Sequence, residues 1–168
     1  MAARKLFLRG GEKNLSMRAL AKAAGTNTPA VYRRFRSRKQ ILGLLVEQTQ
    51  KELFAVLDPC VSLQDAFQCV LEFAMAHPHE WQLINSGVFS KVSATRPNFE
   101  FIKKRSAEWL GGSPDEHTGL VLALWALAHG TATLLMSKAV PLPHETELRN
   151  VASETVELLV GKAATPVQ

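Results

Sequence analysis

The sequence predicts an all-α protein, with an N-terminal three-helix module followed by a helical bundle, and three observations carry that prediction. Apolar residues recur at three- and four-residue spacing along most of the chain, and no alternating run bounded by turn signals argues for a strand. Glycine, proline and capping residues cut this pattern into short segments first and longer ones later. Charge is divided along the chain as well. Residues 1–51 carry twelve Lys/Arg against Glu12 and Glu47, a net +10, whereas 52–168 hold eight basic against thirteen acidic residues, a net −5. A basic end of this kind suits a polyanion, either a nucleic acid or an anionic membrane surface.

The elements follow from the breakers. Gly10-Gly11 ends a first helix, and Ser16 is placed to cap a second over residues 17–24, which Gly25 stops. Thr28, with Pro29 at the first helical position, opens a third to about Phe35. Ser37 caps a fourth, from Arg38 to about Leu57, before Asp58-Pro59. Further helices are expected over about 62–76, 78–89, 96–110, 115–138 and 144–162. The organisation this predicts is a module over 1–50 and a second domain over 51–168.

With 46% hydrophobic and 21% charged residues, the composition excludes a disordered chain. Arg4, Lys5 and Arg9 interrupt the stretch that a signal peptide would need to be apolar, so a cytoplasmic location is expected. Cys60 and Cys69 lack the pair spacings of a zinc site and read as buried free thiols. The proline in His77-Pro78-His79-Glu80 prevents a regular helical pairing of the two histidines. Neither metal nor cofactor is expected. No nucleophile–base arrangement or phosphate-cradling glycine loop stands out, so an enzyme is not expected either.

The basic end reads as a helix-turn-helix. Met17, Leu20, Ala21 and Ala24 form one apolar face, on which Val31 and Phe35, four apart, can pack. Thr28, Ala30, Arg33 and Arg34 then point away, with Tyr32 at the flank. A short helix with two arginines on its front fits a major groove, where Arg can bond guanine O6 and N7 together. Arg38 and Lys39 are placed to grip phosphates, and the amides of the Ser16-capped helix offer a site for another.

The stretch LSMRALAKAAGTNTPAVYRRFRSRKQILGLLVE resembles the TetR family signature. Ser16 precedes the first helix of the motif, Ala24-Gly25 forms its turn, Val31-Tyr32-Arg33-Arg34-Phe35 matches a recognition helix of the xxLYxxF kind, and Arg38-Lys39 opens the long fourth helix. AARKLFLRGG is similar to the end of the family's first helix, which usually begins further upstream than Met1. The resemblance implies a recognition helix at about 28–35, with DNA contacts from Thr28, Pro29, Ala30, Tyr32, Arg33 and Arg34 and backbone clamps from Ser16, Arg38 and Lys39. It implies a repressor, released from a near-palindromic operator on double-stranded DNA by a small, largely apolar effector.

In the second domain, LALWALAHGTATLLM, with Trp125, His129 and Gly130, resembles the Trp-His-Gly pattern of one C-terminal subgroup, as does AHPHEWQLINSGVF. The segment from Thr118 to Ser137 contains no Asp, Glu, Lys or Arg and is long enough to span a bilayer. His129 and its threonines and glycines favour instead a helix buried nearly all round, with no membrane partner. Gly119, Ala123, Ala126, Gly130, Thr133 and Ser137 form a stripe of small residues that admits close approach by another helix, within the protomer or across a two-fold axis. Leu148, Val151, Thr155, Leu158 and Leu159 line one side of the last helix. TetR-like proteins form homodimers through their last two large helices, here about 115–138 and 144–162. Trp125, His129 and Met136 share another stripe, and Phe73, Met75, Trp81, Asn85, Phe89 and Phe101 are candidates to complete an effector cavity. Two other readings remain open: a ligand-independent DNA-binding structural protein, and a helical enzyme or carrier with a basic N-terminus.

Overall fold

The computed structural model describes residues 2–86 and 96–164, and every regular element among them is helical. The order is α1 (Ala2–Leu8), a 3-10 turn (Gly11–Asn14), α2 (Met17–Ala23), α3 (Thr28–Arg34), α4 (Arg38–Leu57), α5 (Leu63–Ala76), α6 (Pro78–Asn85), α7 (Pro97–Leu110), α8 (Thr118–Met136) and α9 (Glu145–Ala164). Short 3-10 turns at Pro114–His117 and Leu142–His144 lead into α8 and α9. This is the all-α class expected. Phe89, named above for a cavity, lies outside the described residues, as does the end of the helix expected over 78–89.

The described residues form two compact units, one from the chain up to Glu52 with the segment that begins at His77, the other from Leu53–Ala76 with the segment that begins at Arg96. In the first, Phe7, Leu15, Met17, Leu20, Val31, Ile41, Leu42, Leu45 and Val46 make a continuous core, to which α6 contributes Leu83. Arg4 on α1 pairs with Glu52 near the end of this unit's share of α4, one hydrogen bond measuring 2.7 Å, and lies 3.7 Å from the buried Glu80 of α6. The ring of His79 packs on the edge of Phe7, centroids 6.2 Å apart. The His77-Pro78-His79-Glu80 stretch thus supplies packing and an ion pair.

In the second unit, α5, α8 and α9 pack on one another, and α7 lies against α8 and the turn that precedes it. Leu63, Ala66, Phe67, Leu71 and Ala74 of α5 are buried. So are Val121, Leu124, Ala128, Ala132 and Leu135 of α8, at three- and four-residue spacing, and Ala152, Val156 and Val160 of α9. On α7 the largely buried Lys103 donates to Asp115 at 2.8 Å. That bond raises the lysine's pKa and lowers the aspartate's, as expected for a mutually stabilised ion pair.

The expectation that α8 is buried nearly all round does not hold. Only 33% of its most apolar window is buried, and Leu122, Trp125 and Leu134 are exposed. The physical reason lies in the packing: the helix buries one face on its neighbours and leaves the other uncovered in the single chain. Length and hydropathy alone would still let the stretch Pro114–Met136 cross a membrane.

Candidate nucleic-acid interface

The interface is built from local interactions around α2 and α3. Ser16 is extended and its hydroxyl accepts from the Ala19 amide at 3.1 Å, the cap expected. After Ala24 the chain turns through Gly25 at φ +64, a left-handed conformation in which a side chain is strained. The Gly25 amide donates to the Lys22 carbonyl and the Thr26 amide to that of Ala21 at 2.9 Å, a Schellman closure that satisfies the end of α2.

The cap of α3 is one residue earlier than expected. Asn27, not Thr28, is extended, and its Oδ1 accepts from the Ala30 amide at 2.9 Å. Asn27 reaches that amide, and Pro29, which has no N–H to offer, falls in the first turn where none is needed. Val31 is the buried residue of α3, and Phe35 packs half-buried on the same core. The outer face therefore presents Pro29, Tyr32 (54% exposed), Arg33 and Arg34, with Thr28 and Ala30 half-buried beside them. The Arg34 guanidinium lies 5.7 Å from the centre of the Phe35 ring. Ser16 and Lys39 are also exposed.

Arg38 has a different position. Its Nε donates to the Leu15 carbonyl at 2.7 Å, one terminal nitrogen donates to the Glu12 carbonyl, and the other pairs with the Glu12 carboxylate at 3.0 Å. The guanidinium staples the start of α4 to the turn before α2, a structural task that sequence reasoning missed.

The residues named for an effector cavity are distributed over both units. Trp81, which is buried, and Asn85 belong to the first. In the second, Phe73 is buried, Met75, Phe101 and Met136 are half-buried, and Trp125 and His129 are at the surface. Phe101 packs edge-on against Phe54 at 4.7 Å, and Trp125 lies 6.2 Å from Phe99 with the Arg96 guanidinium 5.6 Å from its ring.

Two family models match the chain, "Bacterial regulatory proteins, tetR family" over residues 1–45 and "Tetracyclin repressor-like, C-terminal domain" over residues 63–159. The chain belongs to the TetR family. Among solved structures, a protein of unknown function from Rhodococcus sp. RHA1 is similar with a TM-score of 0.70 at 20% identity, covering 92% of this chain and 88% of that one. TetR from Acinetobacter baumannii AYE gives 0.65 at 19%, covering 96% and 92%. A variant of the Acinetobacter protein in complex with minocycline gives 0.67 at 17%, covering 98% and 95%. At these identities the likeness is one of fold. Comparison with curated protein sequences finds no match.

Proposed function

We propose that this TetR-family regulator is a repressor that binds a near-palindromic operator as a homodimer and is released by a small, largely apolar effector. The observation that carries the DNA-binding half of this reading is the division of α3, which buries Val31 and leaves Tyr32, Arg33 and Arg34 outside. Such a helix can enter a major groove without disturbing the core behind it. Arg33 and Arg34 read base edges or phosphates, and Ser16 and Lys39 contact the backbone on either side. Residues 1–50 carry this task and 51–168 carry dimerisation and sensing.

The outer faces of α8 and α9 support the homodimer. A Cβ built at Gly119 or Gly130 would meet open space, and Gly119, Ala126, Thr133 and Ser137 are exposed. The small-residue stripe is thus not consumed by α9 of the same chain. Beside it stand Leu122 and Leu134, and α9 exposes Val151 (52%) and Leu158 (68%). A second copy related by a two-fold axis covers both faces at once. Trp125 and His129 border that seam, in keeping with a Trp-His-Gly kind of C-terminal domain. Phe73, Met75, Phe101 and Met136 are the effector's apolar surroundings in the second unit. An effector that prefers a dimer whose α3 helices are wrongly spaced lowers operator affinity by its differential affinity for the two states.

Selection of bound fragments from random DNA, followed by footprinting, tests the reading. The expected result is a two-fold symmetric site whose affinity falls on Arg33→Ala by about 1–3 kcal/mol if the residue reads a guanine. Binding that stays equally tight on scrambled DNA at moderate salt would overturn it in favour of a structural DNA-binding protein.

A further inference from the structure

A second site, unrelated to α3, is formed where α4 meets α5. The connection Asp58-Pro59-Cys60-Val61-Ser62 brings Cys60 back over the first turns of α5, and Cys69 stands one turn beyond Asp65 on that helix. The two sulfurs and a carboxylate oxygen of Asp65 all lie within 4.8 Å of one another. Cys60 is 1% exposed, while Asp65 and Cys69 are half-buried and leave a way in from solvent.

We propose that Cys60, Asp65 and Cys69 form a site for a thiophilic divalent cation such as Zn²⁺ or Cd²⁺. Two thiolates and one carboxylate are a ligand set such ions accept, with water as a fourth ligand. Zinc–sulfur bonds of about 2.3 Å in a tetrahedron place two sulfurs roughly 3.8 Å apart, so closure requires at most about 1 Å of movement. The carboxylate is already oriented. Its Oδ2 accepts from the Val61 amide at 3.0 Å, and the Asp65 amide donates to the Ser62 hydroxyl at 3.1 Å, leaving Oδ1 on the side of Cys69.

Charge is compatible as well. Two thiolates and a carboxylate around a divalent ion leave one net negative charge. Arg105 of α7 donates to the Cys60 carbonyl at 2.9 Å, placing a cation next to the site but outside it. Arg105 also pairs with Glu108 at 2.8 Å, which holds it there. A disulfide would join only the two sulfurs, whereas a metal uses all three groups, with Oδ1 left over from the bond that Oδ2 accepts from Val61. An ion bound here would lock the corner between α4 and α5.

The test uses the reduced full chain titrated with Cd²⁺, read by the ultraviolet thiolate-to-metal charge-transfer band, and with Zn²⁺ against a chromophoric chelator. One ion per chain is expected, with a band intensity for two thiolates. Cys69→Ser and Asp65→Asn alter half-buried positions and should keep the native melting behaviour. Each should weaken binding by at least about tenfold. Failure of the reduced chain to bind at one to one would overturn the site, as would natural affinity in either variant. Peroxide oxidation of the two thiols to a disulfide, in a chain that binds no Cd²⁺ when reduced, would also overturn it and identify a redox pair.

Discussion

Replacement of Arg38 by alanine separates two accounts of one basic residue. As a phosphate clamp it would contribute to DNA affinity and little to folding; as a staple it would do the reverse. The ion pair with Glu12 is 41% and 42% exposed at its two side chains, so screening leaves it close to zero. The hydrogen bonds to the carbonyls of Leu15 and Glu12 come from a charged donor, worth about 1.5–3 kcal/mol each where water is excluded. Arg38 is only half-buried, so the lower end applies and water recovers part of the loss. About 2 kcal/mol is the expected destabilisation. With a urea slope of about 1–3 kcal/mol per molar for small proteins, the midpoint should fall by roughly 1 M. Lysine should not rescue it, because a single ammonium cannot reach both carbonyls and the carboxylate in the fork geometry. Urea unfolding followed by circular dichroism gives the stability, and operator binding at two salt concentrations gives the other half. An unchanged midpoint, together with a salt slope reduced by about one, would refute the staple and restore the phosphate contact.

Three further outcomes are expected. Asn27→Ala should lower stability by about 1 kcal/mol through loss of the α3 cap, and Thr28→Ala by clearly less; equal losses in urea titrations would return the cap to Thr28. Leu158→Glu, at a position 68% exposed in the single chain, should leave helicity unchanged but weaken self-association by about 2 kcal/mol, roughly thirtyfold, in analytical ultracentrifugation. An unaltered dimer would place the interface elsewhere. Burial, and then the hydrogen bond with Cys69, push the Cys60 thiol up to about 12, so in the metal-free chain it stays protonated at neutral pH and an entering ion must displace its proton. Iodoacetamide should label Cys69 and spare Cys60 until the chain is denatured, as mass spectrometry of the peptides would show.

The helix-turn-helix was legible because its determinants are local. Ser16, Gly25, Asn27 and Pro29 act within a few residues of themselves, and Val31 and Phe35 follow helical spacing. The cap of α3 was misplaced by one residue because Asn27 and Thr28 are adjacent and both are good caps. The staple made by Arg38 was not legible because its partners are 23 and 26 residues away in sequence, beyond any periodicity argument. The cysteines at 60 and 69 carry no paired spacing; the bend after Leu57 brings them together, with a carboxylate between them that hydrophobic patterning does not see. For α8 the difficulty was of another kind. A segment as apolar as Thr118–Met136 has the same composition whether its own chain or a second molecule covers it, and only the direction of its packed face distinguishes the two.

α3 spans seven residues and buries a single side chain, that of Val31. Two turns of helix are too short to persist alone, so its conformation is imposed by the Asn27 cap, the Pro29 ring and the valine anchor. Its outward positions are almost free of folding constraint. On the proposed reading, target preference can drift by substitution at Tyr32, Arg33 and Arg34 without loss of stability. On that same reading, exchanging these three positions for those of another regulator would redirect the protein to a different DNA site while leaving its second unit untouched.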